Sequence, residues 1–144
     1  MGPRLEGNLV IEKLTATDAR LATLLWEECD LTRPWNDARA DFMKAINGPC
    51  STVLGLRQDG HLVGTVMVGY DGHRGWAYYL AVKPAYQGRG VGRQLMAGAE
   101  TWLRGQGAPK IQFMVRSENS KVVDFYTHLG YVPQYVQVLG RRLD

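Results

Sequence analysis

The chain has 144 residues, enough for one domain burying about two thirds of its unfolded surface. Hydrophobic residues at 45% and charged residues at 22% exclude intrinsic disorder, and no apolar run of about 18 residues suggests a membrane span. A net charge of +3 is too small to indicate a nucleic-acid partner. Its distribution says more: Lys83, Arg89, Arg93, Arg104 and Lys110 face a single acid, Glu100, within residues 83–110.

The opening MGPRLEG has no apolar signal core, and Glu6 stands where a myristoylation motif requires Ser or Thr, so the expected location is cytoplasmic. Residues 8–14 (NLVIEKL) alternate like a half-buried strand. Thr17 offers an N-cap to a helix whose apolar stripe reads Leu21, Leu24, Leu25 and Cys29. Cys29 and Cys50 have no metal spacing and make no disulfide framework; they read as small buried residues in a reducing compartment. The polar DLTRPWND follows, then a short helix over 37–46 that Gly48 and Pro49 stop. STVLGLRQ and HLVGTVMVGY are strand-like runs joined by Asp59-Gly60, a hairpin signal, and the turn DGHRG leads into WAYYLAVK. Three antiparallel strands are therefore expected over 51–83. Val91, Leu95, Ala99 and Trp102 recur at helical spacing until GQGAP, and KIQFMVR predicts a strand over 110–116. Asn119 caps a helix carrying Val122, Val123, Phe125, Tyr126 and Leu129, which Gly130 ends, and YVPQYVQVLGRRL predicts a last strand. No repeat or linker interrupts this order, so residues 1–144 read as a single α+β domain.

Between strand and helix lies QGRGVGR, residues 87–93. Backbone N–H groups converge on a phosphate only where side chains leave room, and Gly88, Gly90 and Gly92 leave it. Arg89 and Arg93 stand at the positive end of a helix dipole, where a cation is mildly unfavourable and an anionic ligand removes the conflict. Neither familiar phosphate loop fits: Arg93-Gln94 follows the last glycine where a P-loop has Lys and then Ser or Thr, and the glycine spacing is not that of a dinucleotide fold.

The pattern Gln87-x-x-Gly90-x-Gly92 after Leu80-Ala81-Val82, followed by Asn119 and DFYTHLGY, resembles the two signatures of the GNAT family of N-acetyltransferases. The similarity in element order runs over about residues 8–140. It implies the GNAT acyl-CoA N-acyltransferase fold: a central mixed, mostly antiparallel sheet flanked by helices, with a β-bulged, splayed strand at 77–83. It implies acetyl-CoA as cosubstrate, no metal, and an amine acceptor in place of nucleic acid or membrane. Cofactor contacts fall on Leu80, Ala81, Val82, Gln87, Gly88, Arg89, Gly90, Val91, Gly92, Arg93, Asn119 and Tyr126. Tyr126 takes the general acid's place, and the Val82 N–H is the expected oxyanion donor. Relatives often carry a glutamate base where this chain has Trp76 and Met114, which leaves Glu118, His73, Asp71 and Tyr79 as alternatives. Trp35, Asn36, Asp37, Tyr70, Asp71, His73 and Arg74 are the candidate acceptor residues, with Arg33 and Arg74 available to an acidic group. A non-catalytic acyl-CoA-binding module is the alternative, and a homodimer paired through the segment ending at Leu143 stays open.

Overall fold

The computed structural model describes residues 7–116 and 118–144. The opening MGPRLE, with the expectations placed on it, lies outside the described residues. The chain divides into two units at Met114 and Val115. The first carries a five-stranded sheet in the order β1-β2-β3-β4-β5, with β1 Leu9–Lys13, β2 Ser51–Gln58, β3 His61–Tyr70, β4 Gly75–Val82 and β5 Ile111–Gln112. β1 to β4 are antiparallel neighbours, and β5 runs parallel to β4. Asp59 and Gly60 close the β2–β3 hairpin with φ of 49° and 84°, the positive pair that a tight two-residue turn requires.

Adjacent residues of a strand face opposite sides of a sheet, and the two sides are covered differently here. On one side α1 (Ala19–Glu28) and α2 (Ala38–Asn47) bury Ala22, Leu25, Trp26, Phe42 and Ala45 with Val53 and Ala81. On the other lies α3 (Val91–Gln106). Its close approach depends on missing side chains. A Cβ on Gly64 would meet Leu95 and Val91 at 2.7 and 2.8 Å, and one on Gly75 would meet Leu103 at 2.5 Å.

α1 departs from the expected pattern in two ways. A short turn, Ala16–Asp18, precedes it, and the Asp18 carboxylate accepts the Thr15 N–H at 2.9 Å, so Thr17 is not the cap. The buried face is Ala19, Ala22, Leu25 and Trp26, while Leu21 and Leu24 are 54% and 46% exposed. Both stripes have helical period; the small Ala19 and Ala22 let the helix approach the sheet while the Trp26 indole fills the space between. Arg57 of β2 ties this region together, its guanidinium donating to Glu12 of β1 at 2.6 Å and to Asp18.

In the second unit α4 (Ser120–His128) is capped by the Asn119 carboxamide, which accepts the Val122 N–H at 3.4 Å. Gly130 follows at φ 95°, and the Tyr131 N–H returns to the Tyr126 carbonyl at 3.1 Å. Two expected strands are corrected. The strand over 110–116 is reduced to Ile111–Gln112, and residues 131–144 form neither strand nor helix. Alternating apolar residues specify a strand only where another edge supplies its hydrogen bonds, and Tyr131–Asp144 make no ladder.

Candidate active site

β4 is bulged where the splayed strand is expected. Between the pairs Thr65–Ala81 and Met67–Tyr78, β3 contributes only Val66 while β4 contributes Tyr79 and Leu80. That extra residue bends the strand, and Tyr79 sits at φ 52°. β5 pairs only with Gly75 and Trp76, so beyond Trp76 β4 makes no ladder on its outer side among the described residues. The Lys83 N–H bonds to the Val63 carbonyl at 2.8 Å, which turns the N–H and carbonyl of Val82 away from β3. The Val82 carbonyl accepts the Gln87 side-chain amide at 3.1 Å and the Cys29 thiol at 3.3 Å. Burial raises the Cys29 thiol, which keeps it the donor. Cys29 is half-buried and Cys50 exposed, so the expectation of two buried cysteines is corrected.

The glycine loop follows directly. Gly88 and Gly90 have φ of 77° and 85°. Gly90 is the left-handed N-cap of α3, and no atom lies within 4 Å of where its Cβ would stand. The first N–H groups of α3 have no partner inside the helix. Val91 and Gly92 are buried and seat the helix, while Arg93 is exposed. The Arg89 guanidinium lies 5.8 Å over the Tyr86 ring, a contact that orients it.

Tyr126 belongs to the second unit, half-buried on α4, edge-on to Phe125 at 5.1 Å and Tyr131 at 6.0 Å. Burial pushes its phenol up to about 12. Asn119 is the helix cap.

Several candidate acceptor residues hold the chain as well. Trp35 is 55% exposed, Asn36 closes a turn onto Arg33, and the Asp37 carboxylate caps α2 by accepting the Ala40 N–H at 3.0 Å. Arg33 donates to the carbonyls of Asp30 and Thr32 at 2.9 and 2.7 Å. Tyr70 ends β3. Asp71 accepts the N–H groups of His73 and Arg74 at 2.8 and 2.7 Å, and the Trp76 indole at 3.2 Å. The Arg74 and His73 amides hold its carboxyl below the usual range. Asp71 thus organises its turn, and its two oxygens are already engaged. Met114 is 51% exposed.

One cluster has no counterpart in the sequence reading. The Tyr79 hydroxyl donates to the Asp41 carboxylate at 2.8 Å, and its ring stacks on Trp26 at 3.9 Å and 10°. Burial, with Asp41 beside it, pushes the phenol up to about 12, so Tyr79 is a donor and no base. The Trp26 indole donates to the Thr65 hydroxyl at 2.8 Å, which donates to the Tyr79 carbonyl at 3.1 Å.

Residues 19–131 match the family model described as the acetyltransferase (GNAT) family. The chain belongs to the GNAT acetyltransferase family. This enzyme is 47% identical over 120 residues to an acetyltransferase of Yersinia pestis strain Pestoides F, covering 83% of its own chain and 85% of the relative. The same figures hold for an acetyltransferase of Yersinia pseudotuberculosis serotype I strain IP32953. Among solved structures, the aminoglycoside N-acetyltransferase AAC(6')-Iy in complex with CoA superposes on it with a TM-score of 0.83 at 18% identity, over the whole of both chains. Glucosamine-6-phosphate N-acetyltransferase from Arabidopsis thaliana gives 0.70 at 18% identity, covering 95% of this chain and 99% of that one. The enzyme therefore has the GNAT fold and the activity class of an N-acetyltransferase.

Proposed function

We propose that the enzyme transfers acetyl from acetyl-CoA to the primary amine of a small molecule, a protein N-terminus or a lysine, by direct attack in a ternary complex. One observation carries the reading: the bulged β4, which pairs with β5 only at Gly75 and Trp76, runs within one unit directly into the glycine-capped start of α3, with open space at Gly90. An extended amide-bearing arm satisfies such an edge as an added strand does, and a pyrophosphate suits the N–H groups from Gln87 to Arg93. A Cβ at Gly90 would project into the space that this ligand needs.

The amine nitrogen attacks the acetyl carbonyl carbon, and a backbone N–H on the open side of β4 stabilises the oxyanion. Holding both substrates together supplies most of the acceleration. The C–S bond then breaks, CoA leaves as its thiolate, and the proton lost from the amine goes to solvent, from which the thiolate is protonated. Tyr126 takes the acid role. With its phenol at about 12 against a thiol near ~8.5, full transfer to sulfur is uphill by roughly 5 kcal/mol, so Tyr126 donates a hydrogen bond to the developing thiolate. Trp76 and Met114 accept no proton, Tyr79 is a donor, and Asp71 is engaged. Glu118 and His73 stay open as bases, and an acceptor that reacts as its free base needs neither.

The test is release of free CoA thiol from acetyl-CoA across a panel of amines and peptides. Acetylation of at least one acceptor supports the reading. Tight acetyl-CoA binding with no acetylation of any amine contradicts it and favours a non-catalytic acyl-CoA-binding module.

A further inference from the structure

We propose that Thr65 is a positioning residue of the acetyl-CoA slot: together with Trp26 of α1 and Asp41 of α2 it latches Tyr79 into the left-handed bulge that splays β4. This inference rests on the proposed reading of the β4 edge as the strand that receives the thioester arm.

A bulky residue at φ 52° is strained, and such a conformation persists only where its surroundings over-determine it. Tyr79 is held at three points. Thr65 binds its carbonyl at 3.1 Å, the Trp26 ring lies 3.9 Å from its own, and Asp41 receives its hydroxyl at 2.8 Å. Thr65 is 0% exposed. Its hydroxyl has one proton, and because the oxygen already accepts the Trp26 indole N–H at 2.8 Å, that proton is committed to Tyr79.

The bulge decides what the open edge of β4 presents. Removing the extra residue from the ladder would shift Leu80, Ala81 and Val82 by one register position, and a one-residue slip exchanges inward-facing and outward-facing groups. The residue that ends the same helix guards the far end of this segment: Cys29, the C-cap of α1, donates to the Val82 carbonyl. Residues 79–82 are thus pinned at both ends from α1, and the latch fixes the edge before any ligand arrives. Preorganisation of this kind appears in the affinity for the ligand as well as in the stability of the fold.

The experiment measures acetyl-CoA Kd by calorimetry, and KM for both substrates, in native enzyme, Thr65→Val and Thr65→Ser. Valine keeps the shape and removes both hydrogen bonds; serine keeps the hydroxyl. Thr65→Val is expected to weaken acetyl-CoA binding about tenfold while the amine KM moves less than about twofold, and Thr65→Ser is expected to restore binding. A Thr65→Val enzyme that melts lower yet binds acetyl-CoA as the native enzyme does would make Thr65 structural only and overturn the latch. Should Thr65→Val fail to fold, Tyr79→Phe carries the same test, since it keeps the ring stack and loses the bond to Asp41; acetyl-CoA binding at native strength then overturns the proposal. Native enzyme that binds no acetyl-CoA contradicts the reading of the edge itself, and the latch falls with it.

Discussion

With its phenol pushed up to about 12 by burial, Tyr126 stays protonated at every pH at which an acetyltransferase is ordinarily assayed. Its loss should therefore appear in rate and not in pH dependence. Tyr126→Phe is expected to lower kcat roughly 10- to 100-fold, the value of one hydrogen bond to a charged group, with the acetyl-CoA KM nearly unchanged. The native kcat/KM should show no alkaline limb below about pH 11, and its acid limb should move with the pKa of whichever amine is used. An alkaline limb near pH 9 that Tyr126→Phe abolishes would instead make the phenol a titrating acid. Candidates of this kind can be named from sequence because they sit in short local patterns: Gln87, Gly90 and Gly92 in one stretch, Asn119 and Tyr126 in another. Asp41 and Thr65 cannot. Their partners lie 38 and 39 residues away along the chain, and nothing in a helical Asp or a strand Thr announces a bond between helix and sheet.

At the scale of elements, two contacts decide how strands and helices seat. Burial alone would raise the Asp18 carboxyl, but the Thr15 backbone N–H and the Arg57 guanidinium outweigh it and hold Asp18 below its ordinary value. A carboxylate lowered in the folded state contributes stability that is present above its unfolded pKa, about 3.9, and lost as pH falls through the folded value. Asp18→Asn should therefore cost about 1–2 kcal/mol in urea unfolding at pH 7. The gap to the native enzyme should close as pH falls through that lowered value, and a gap that stays constant into strong acid would contradict the assignment. Gly64→Ala tests the other contact. Its Cβ would meet Val91 and Leu95 of α3, so a loss of about 2–3 kcal/mol is expected; a change within about 0.5 kcal/mol would show that α3 gives way freely. Periodicity revealed α2, α3, α4 and the β2–β4 meander because each carries its own pattern and its own stop, such as Asp59-Gly60. It misplaced the buried face of α1, where two stripes of equal period compete and only the fit of Trp26 against the sheet chooses between them. It also gave a strand to residues 131–143, where the alternation is present but no ladder forms.

For the molecule as a whole, the family match runs from residue 19 to residue 131, across the boundary between the two units, so the family signatures belong to both. Among the described residues no helix is long and apolar enough to cross a membrane. The proposed acetyl-CoA site at β4 and the start of α3 is tested first by the melting temperature with and without acetyl-CoA, in native enzyme and in Gly90→Glu. The open space beside Gly90 admits the added carboxylate, although its φ of 85° costs the variant some stability. Each protein is therefore compared with itself. At a concentration 100 times the Kd, linkage predicts about 2.7 kcal/mol of stabilisation, several degrees for a domain of this size. That shift is expected in the native enzyme and is expected to vanish in Gly90→Glu. An equal shift in both, or none in the native enzyme, would contradict the proposed site.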